Sequence, residues 1–257
     1  MSGFGNARAS RNSYVLAFLF LMLPALACKT PAPPAPTSTP VPASTLPPTA
    51  TPKSENRIQV KYPTGIETVR FEDGVLAVID HKGAYGIGFP KQWEAGAFHE
   101  DFLPTVHKYA RINLGLESLF QTIYGQDDSL RFFAIDTSPD HLTKDSFAAL
   151  HVGMYQEQWR LEASLEELAA EYARYLSSSG QLEIIDTFQG QTNDGVPFAL
   201  FLTEPVSTEG MTPAYGAVAL IKTDKVYLEI LYTTFDKTID ILDELRPILA
   251  SFNTVPD

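Results

Sequence analysis

From residue 57 onward, short runs of apolar and polar residues alternate between turn sequences. Such runs are typical of β-strands, because successive side chains of a strand point to opposite faces of a sheet. The turns read Pro63-Thr64-Gly65, Glu72-Asp73-Gly74 and His81-Lys82-Gly83, and glycine at the tip favours a tight hairpin. The pattern therefore predicts four antiparallel strands, Arg57–Tyr62, Ile66–Phe71, Val75–Asp80 and Ala84–Phe89.

The next part of the chain changes to a helical period. Between residues 99 and 129, apolar side chains recur three or four positions apart, which is the spacing of one helix face. This spacing predicts a helix over about residues 106–124, interrupted near Gly115. Two strands are then predicted at Leu130–Thr137 and Phe147–Tyr155.

The clearest helix start is at Ser164. A serine followed three residues later by Glu167 forms a capping box, in which each side chain binds the other residue's backbone N–H. One apolar stripe follows, and Gly180 can adopt the left-handed conformation that ends a helix. The stripe consists of Leu165, Leu168, Ala169, Tyr172 and Leu176.

Four more strands and a terminal helix complete the chain. The strands are predicted at Leu182–Gln189, Val196–Glu204, Ala214–Lys222 and Lys225–Thr234. The helix spans about residues 236–251, and Pro247 must kink it or begin a new turn. We expect Ile239, Leu242, Leu245 and Leu249 to share its buried face, with Asp240 and Asp243 exposed on the opposite side.

These elements predict an α+β fold, in which a mainly antiparallel β-sheet is flanked by helices. The run Gly83-Ala84-Tyr85-Gly86-Ile87-Gly88-Phe89-Pro90-Lys91-Gln92-Trp93 resembles the opening signature of PsbP-like proteins, the relatives of an extrinsic photosystem II subunit. The Gly195-Val196-Pro197 turn and the terminal Ser251-Phe252 are similar to later parts of that family's pattern. The resemblance covers about residues 75–252 and implies an α/β/α sandwich with an accessory role. It implies no catalytic residue.

The N-terminal region is typical of an export signal. Arg8 and Arg11 precede an uncharged apolar run, and Ala25-Leu26-Ala27 forms a cleavage site for signal peptidase. Cys28 follows directly, as in a bacterial lipobox, although Ala25 stands where that motif usually has leucine. The prediction is a signal peptide over residues 1–27 and a lipid-anchored Cys28. Ordinary cleavage beside a chance cysteine and an uncleaved membrane anchor are the alternatives.

Composition separates the next segment from the folded part. Residues 29–53 hold nine prolines and six threonines without an acid or an aromatic residue, which favours a disordered tether. Residues 28–54 are therefore assigned to the lipidated cysteine and linker, and residues 55–257 to a single domain.

From residue 54 onward, 31 acids outweigh 15 bases, because four of the 19 bases lie earlier, so the net charge is −16. This charge argues against nucleic-acid binding.

The sequence carries no recognisable catalytic signature, and we predict no cofactor. Its only cysteine lies in the targeting region, and it contains no G-x-S-x-G, S-x-x-K or P-loop motif. The densest group of potential metal ligands is His99, Asp101 and His107, although surface histidines beside an acidic loop are commoner than a metal site. The segment Asp136–Asp140 is similar to half a calcium loop, but His141 replaces the required glycine.

Two functions from different classes remain open at this stage. The first is a non-catalytic accessory or binding domain, tethered by lipid to the extracytoplasmic face of the cell membrane, with an unidentified protein partner. The second is an extracytoplasmic hydrolase that uses carboxylates or histidine.

Acid pairs such as Asp243-Glu244 are interpreted as solvated helix faces. Trp93, Trp159 and Tyr155 are the candidates for an exposed aromatic patch, and core packing is favoured for Trp93.

Overall fold

The computed structural model describes residues 57–124, 129–206 and 213–255. The predicted signal peptide, Cys28 and the linker lie outside these residues. Within the described residues, no helix has both the length and the apolar character needed to cross a membrane.

The first four strands form the predicted antiparallel series. Gly65 and Gly74 occupy positive-φ positions in two of its turns, which explains the glycines at the hairpin tips. A short strand at the end of the chain pairs with the fourth strand and completes a five-stranded sheet. These strands are β1 (Ile58–Lys61), β2 (Ile66–Arg70), β3 (Leu76–Asp80), β4 (Tyr85–Phe89) and β12 (Asn253–Thr254).

A second, seven-stranded antiparallel sheet contains the remaining strands in the order β5-β6-β7-β11-β10-β9-β8. Six of them confirm the predicted strands, with ends that shift by one or two residues. The edge strand β5 was not predicted, because its segment Trp-Glu-Ala-Gly-Ala has small residues in place of β-branched ones. The strands are β5 (Trp93–Ala97), β6 (Leu130–Asp136), β7 (Ala148–Tyr155), β8 (Leu182–Gln191), β9 (Pro197–Pro205), β10 (Tyr215–Lys222) and β11 (Tyr227–Thr234).

The predicted helix interruption near Gly115 is a genuine break between two helices. Asn113 begins the second helix, because its side-chain oxygen accepts a 2.8 Å hydrogen bond from the Gly115 N–H. The capping box of Ser164 and Glu167 and the left-handed Gly180 are also confirmed. The helices are α1 (Leu103–Ala110), α2 (Leu114–Ile123), α3 (Gln158–Glu162), α4 (Leu165–Ser179) and α5 (Ile241–Ala250).

The helices and the small sheet cover the two faces of the seven-stranded sheet. Its inner face packs against the five-stranded sheet and α5, through a cluster that includes Trp93, Phe132 and Leu245. Its outer face is covered by α1 and α2 over β6 and β7, and by α4 over β9, β10 and β11. The fold is therefore α+β with mainly antiparallel strands, but it has two sheets where the sequence pattern suggested one.

The terminal helix differs in detail from its prediction. Residues 236–239 precede it, and Asp240 is its N-cap, accepting hydrogen bonds of 3.1 and 3.2 Å from the Leu242 and Asp243 N–H groups. Asp240 is thus a structural residue and not a tolerant surface position. The buried face consists of Leu245, Ile248 and Leu249, while Leu242 and Ile239 are half-buried.

Candidate functional site

The three predicted metal ligands do not meet at one point. His99 precedes α1, and its Nδ1 lies 3.2 Å from a carboxylate oxygen of Asp101. His107 lies on α1 and faces α2, where its Nε2 is 3.2 Å from Glu117 Oε1. The structure therefore brings His99 and Asp101 together and gives His107 a different acidic partner.

A different set of metal-ligating side chains converges on the inner side of the seven-stranded sheet. Asp136 ends β6, His141 lies in the following loop, and Glu244 lies in the first half of α5. One ligand atom from each of the three lies within 4.8 Å of the other two. Among the described residues, no other group of three such side chains comes this close.

The loop after β6 brings His141 back to Asp136. Asp136 Oδ1 accepts a 2.9 Å hydrogen bond from the Ser138 N–H, which turns the chain at the end of the strand. The Leu142 N–H then donates to the Ser138 carbonyl at 2.9 Å and closes a helical turn. As a result, His141 Nδ1 makes a short hydrogen bond with Asp136 Oδ2.

Burial and like charges dominate the electrostatics of this cluster. Asp136 is fully buried and His141 mostly so, whereas Glu244 is half-buried. Burial raises the pKa of the Glu244 carboxyl, and the charge of Asp136 raises it further. The imidazole therefore bonds one buried carboxylate and has a second, half-buried carboxylate within 4.8 Å.

Two buried hydrogen-bond donors next to the cluster have no partner among the described residues. They are the Tyr232 hydroxyl and the Trp93 indole N–H, whose rings lie 6.3 Å apart. Trp93 is directly opposite Asp136 in the β5–β6 ladder, so the two side chains share one face of the sheet. Burial raises the pKa of the Tyr232 hydroxyl, and the charges of Glu244 and Asp136 raise it further.

Asp80 is also fully buried but lies outside this cluster, and its carboxylate has more hydrogen-bond donors than that of Asp136. Arg131 donates to both of its oxygens, at 2.6 and 2.8 Å, and the Lys82 and Gly83 N–H groups donate to Oδ1. This bidentate pair joins β3 of the five-stranded sheet to β6 of the seven-stranded sheet. Asp80 is therefore neutralised by a structural cation, while Asp136 has only a histidine as its ion-pair partner within the described residues.

The predicted aromatic patch is present only in part. Trp93 is fully buried, which confirms its core position, whereas Trp159 is 46% exposed and Tyr155 is half-buried. Arg160 connects the last two, with its guanidinium 4.7 Å from the Trp159 ring centre and 4.4 Å from that of Tyr155. The same guanidinium lies 3.2 Å from the buried Glu229. This patch is a cation–π stack anchored by an ion pair.

The sequence pattern singles out Asp136 and His141 but does not predict the site that they form with Glu244. His141 stands at the glycine position of a calcium loop and argues against one, and the pattern around Glu244 predicts a solvated helix face. The local signal was the Asp-x-x-x-x-His spacing after a buried strand. Glu244 comes from a distant part of the chain, and only the packing of α5 on the inner face brings it to the other two.

The comparisons with known proteins do not assign a family. No protein-family model matches the chain, and no curated protein matches it. Among solved structures, a chain from Bacteroides thetaiotaomicron is similar over 70% of this chain, with 10% identity and a TM-score of 0.32. This chain covers 48% of that protein's length.

Proposed function

We propose that this protein is a lipoprotein whose α+β domain is tethered to the extracytoplasmic face of the cell membrane and acts as a non-catalytic accessory or binding module. The observation that carries the proposal is the only cysteine, Cys28, placed directly after Ala25-Leu26-Ala27 at the end of an apolar run. The proline- and threonine-rich segment that follows supplies the tether. At about 3.1 Å per residue, an extended segment of this length would span roughly 75–80 Å.

The point at which the chain enters the described domain is compatible with a tether. The first strand, β1, lies at the edge of the five-stranded sheet, and all four of its residues are exposed. A linker that precedes β1 therefore reaches the domain at its surface and does not have to cross the core. The net charge of −16 from residue 54 onward favours a basic or neutral protein partner over nucleic acid.

The finer fold proposal is a PsbP-like α/β/α sandwich. It is supported by contacts among the three sequence pieces that carry the resemblance. Ser251 Oγ accepts a 2.7 Å hydrogen bond from the Gly88 N–H. Its single proton is donated to one of two nearby carbonyl oxygens, that of Gly88 at 3.0 Å or that of Ile248 at 2.6 Å. The Asn193 N–H, in the turn that contains Gly195, donates to the Ala250 carbonyl at 3.0 Å.

Detergent partitioning tests the anchor. The wild-type protein, expressed with its own signal sequence in a bacterial host, should enter the detergent phase, and Cys28→Ser should remain aqueous or unprocessed. Thr30→Ser is the matched control, because it changes a neighbouring residue and keeps the thiol, so it should partition like the wild type. Membrane retention of Cys28→Ser equal to that of the wild type would instead indicate an uncleaved apolar helix.

An extracytoplasmic hydrolase is the second candidate, and the Asp136–His141–Glu244 cluster favours it. A histidine held by a buried carboxylate can accept a proton as a general base, and a second carboxylate beside it can orient a nucleophile. Chromogenic ester, phosphate and glycoside substrates test this candidate directly. Hydrolysis by the wild type that is lost in Glu244→Gln would support the enzyme, and inactivity on all three classes would favour the binding module.

A further inference from the structure

The Asp136 cluster holds more negative charge than its protein partners neutralise. Two carboxylates, Asp136 and Glu244, face a single imidazole, and Asp136 is fully buried. A buried carboxylate is costly unless a cation or several hydrogen bonds compensate it. Within the described residues, Asp136 has one backbone N–H donor and one histidine, whereas Asp80 has an arginine and two backbone donors. Unlike Asp80, which pairs with a permanently charged arginine, Asp136 therefore has no such cation beside it among the described residues.

We propose that Asp136, His141 and Glu244 form a binding site for a divalent transition-metal cation of the Zn²⁺ type. One imidazole nitrogen and two carboxylate oxygens are a ligand set that such cations accept, and three protein ligands leave a coordination position open. This site is independent of the proposed lipid anchor and adds a ligand to the proposed binding domain.

The distances among the three ligand atoms require only small side-chain movements to fit a cation. Ligand atoms around a tetrahedral cation with bonds of about 2.0–2.1 Å lie roughly 3.3 Å apart. The three ligand atoms here lie within 4.8 Å of one another, and the Asp136–His141 hydrogen bond lies inside this space. A cation bound by both side chains would replace the proton of the hydrogen bond between Asp136 and His141. The half-buried Glu244 side chain, at the accessible side of the cluster, has the freedom to close the remaining distance.

An independent observation also indicates a ligand at this place. The Tyr232 side chain is 1% exposed, and its hydroxyl has no hydrogen-bond partner among the described residues. Buried hydroxyls are normally paired, so this one calls for an acceptor that the described residues do not provide. The Tyr232 ring packs 6.3 Å from that of Trp93, which lies directly opposite Asp136 in the sheet. A water molecule or an anion at the open coordination position would accept this hydrogen bond. The Trp93 indole N–H, which also has no partner in the part of the chain that the structure describes, lies on the same face of the sheet as Asp136.

Zn²⁺ titration by calorimetry tests the proposal, with the visible absorption of bound Co²⁺ as a second readout. The full chain is used in detergent with Cys28→Ser as the common background, because the thiol of any chain that carries no lipid would bind metal by itself. We expect one equivalent of Zn²⁺ to bind. Glu244→Gln keeps the size of the side chain and should weaken binding by at least about tenfold, and His141→Ala should do the same.

His107→Ala is the matched control, since His107 also pairs with a glutamate at 3.2 Å but belongs to no group of three ligands. It should leave the affinity unchanged. Tyr232→Phe should bind Zn²⁺ a few-fold more weakly, yet melt no lower than the background protein in chelator, because it removes an unpaired hydroxyl. Absence of saturable Zn²⁺ binding would overturn the proposal, as would equal affinity in Glu244→Gln, which should stay folded because Glu244 is half-buried. Loss of binding in His107→Ala alone would place the site on α1 and α2 instead.

Discussion

His151 should make the stability of this protein depend on pH in a defined window. It lies in the middle of β7, directly opposite Phe133 and Leu231 in the neighbouring strands, and its Nε2 has no partner among the described residues. Burial lowers the pKa of the imidazole from 6.5 to about 4. The folded protein therefore keeps His151 neutral at pH values at which the unfolded chain already binds a proton.

The sign and size of the effect follow from proton linkage. As the pH falls below 6.5, the unfolded state takes up a proton on His151 that the folded state accepts only near pH 4. Stability is thus fully present above pH 6.5 and is lost as the pH falls toward 4. At 1.36 kcal/mol per pKa unit, the free energy of unfolding should drop by roughly 2–3 kcal/mol between about pH 7 and pH 4.5 because of this residue.

Urea unfolding of the wild type and His151→Leu at both pH values measures this effect. Other groups titrate in both proteins. The difference between the two in the pH dependence of the free energy of unfolding therefore isolates the contribution of His151. We expect His151→Leu to be about as stable as the wild type at neutral pH and roughly 2–3 kcal/mol more stable at about pH 4.5. His107→Leu changes an exposed histidine, so it should lose as much stability between neutral pH and about pH 4.5 as the wild type does. An equal loss of stability in the wild type and His151→Leu would refute the assignment of a buried, neutral His151.

Three further substitutions, one of them with a matched control, test the packing of the fold in the same unfolding assay. Arg131→Met leaves Asp80 buried without its cation and should cost about 3–5 kcal/mol, and a loss below about 1 kcal/mol would show that the pair does not join the two sheets. Leu245→Ala should cost about 2–5 kcal/mol, whereas the exposed Asp243→Ala should stay within about 0.5 kcal/mol, and equal costs would mean that α5 does not pack on the sheet. Asp240→Ala removes the N-cap of α5 and should cost about 0.5–2 kcal/mol, while an unchanged stability would argue against the cap.

Local patterns were sufficient for most of the secondary structure. The hairpin tips, the capping box at Ser164 and the glycine at position 180 act over three or four residues, so the chemistry that produces them is visible in the sequence. The same holds for the break between α1 and α2, which Asn113 produces through a hydrogen bond to a residue two positions away. Each of these features was predicted and is present in the structure.

Elements whose stability depends on distant contacts were predicted poorly. Strand β5 has the weak local pattern Trp-Glu-Ala-Gly-Ala, and its pairing with β6 and the burial of Trp93 hold it in the sheet. Helix α5 begins later than its apolar spacing suggested, because Asp240 supplies the cap and the preceding residues form another turn. A strand of small residues and a cap made by one side chain, without the paired glutamate of a capping box, give only a weak signal in the sequence.

The sequence by itself determined most of the strand and helix types and the acidic charge from residue 54 onward, because each depends on neighbouring residues or on composition. Only the tertiary structure decided that the strands divide into two sheets, that His151 is buried in β7, and that Glu244 lies beside Asp136 and His141. Burial and convergence are properties of residues far apart in the chain, and no local period encodes them. The candidate metal site belongs to this second group, since it exists only when α5 packs against the inner face of the seven-stranded sheet.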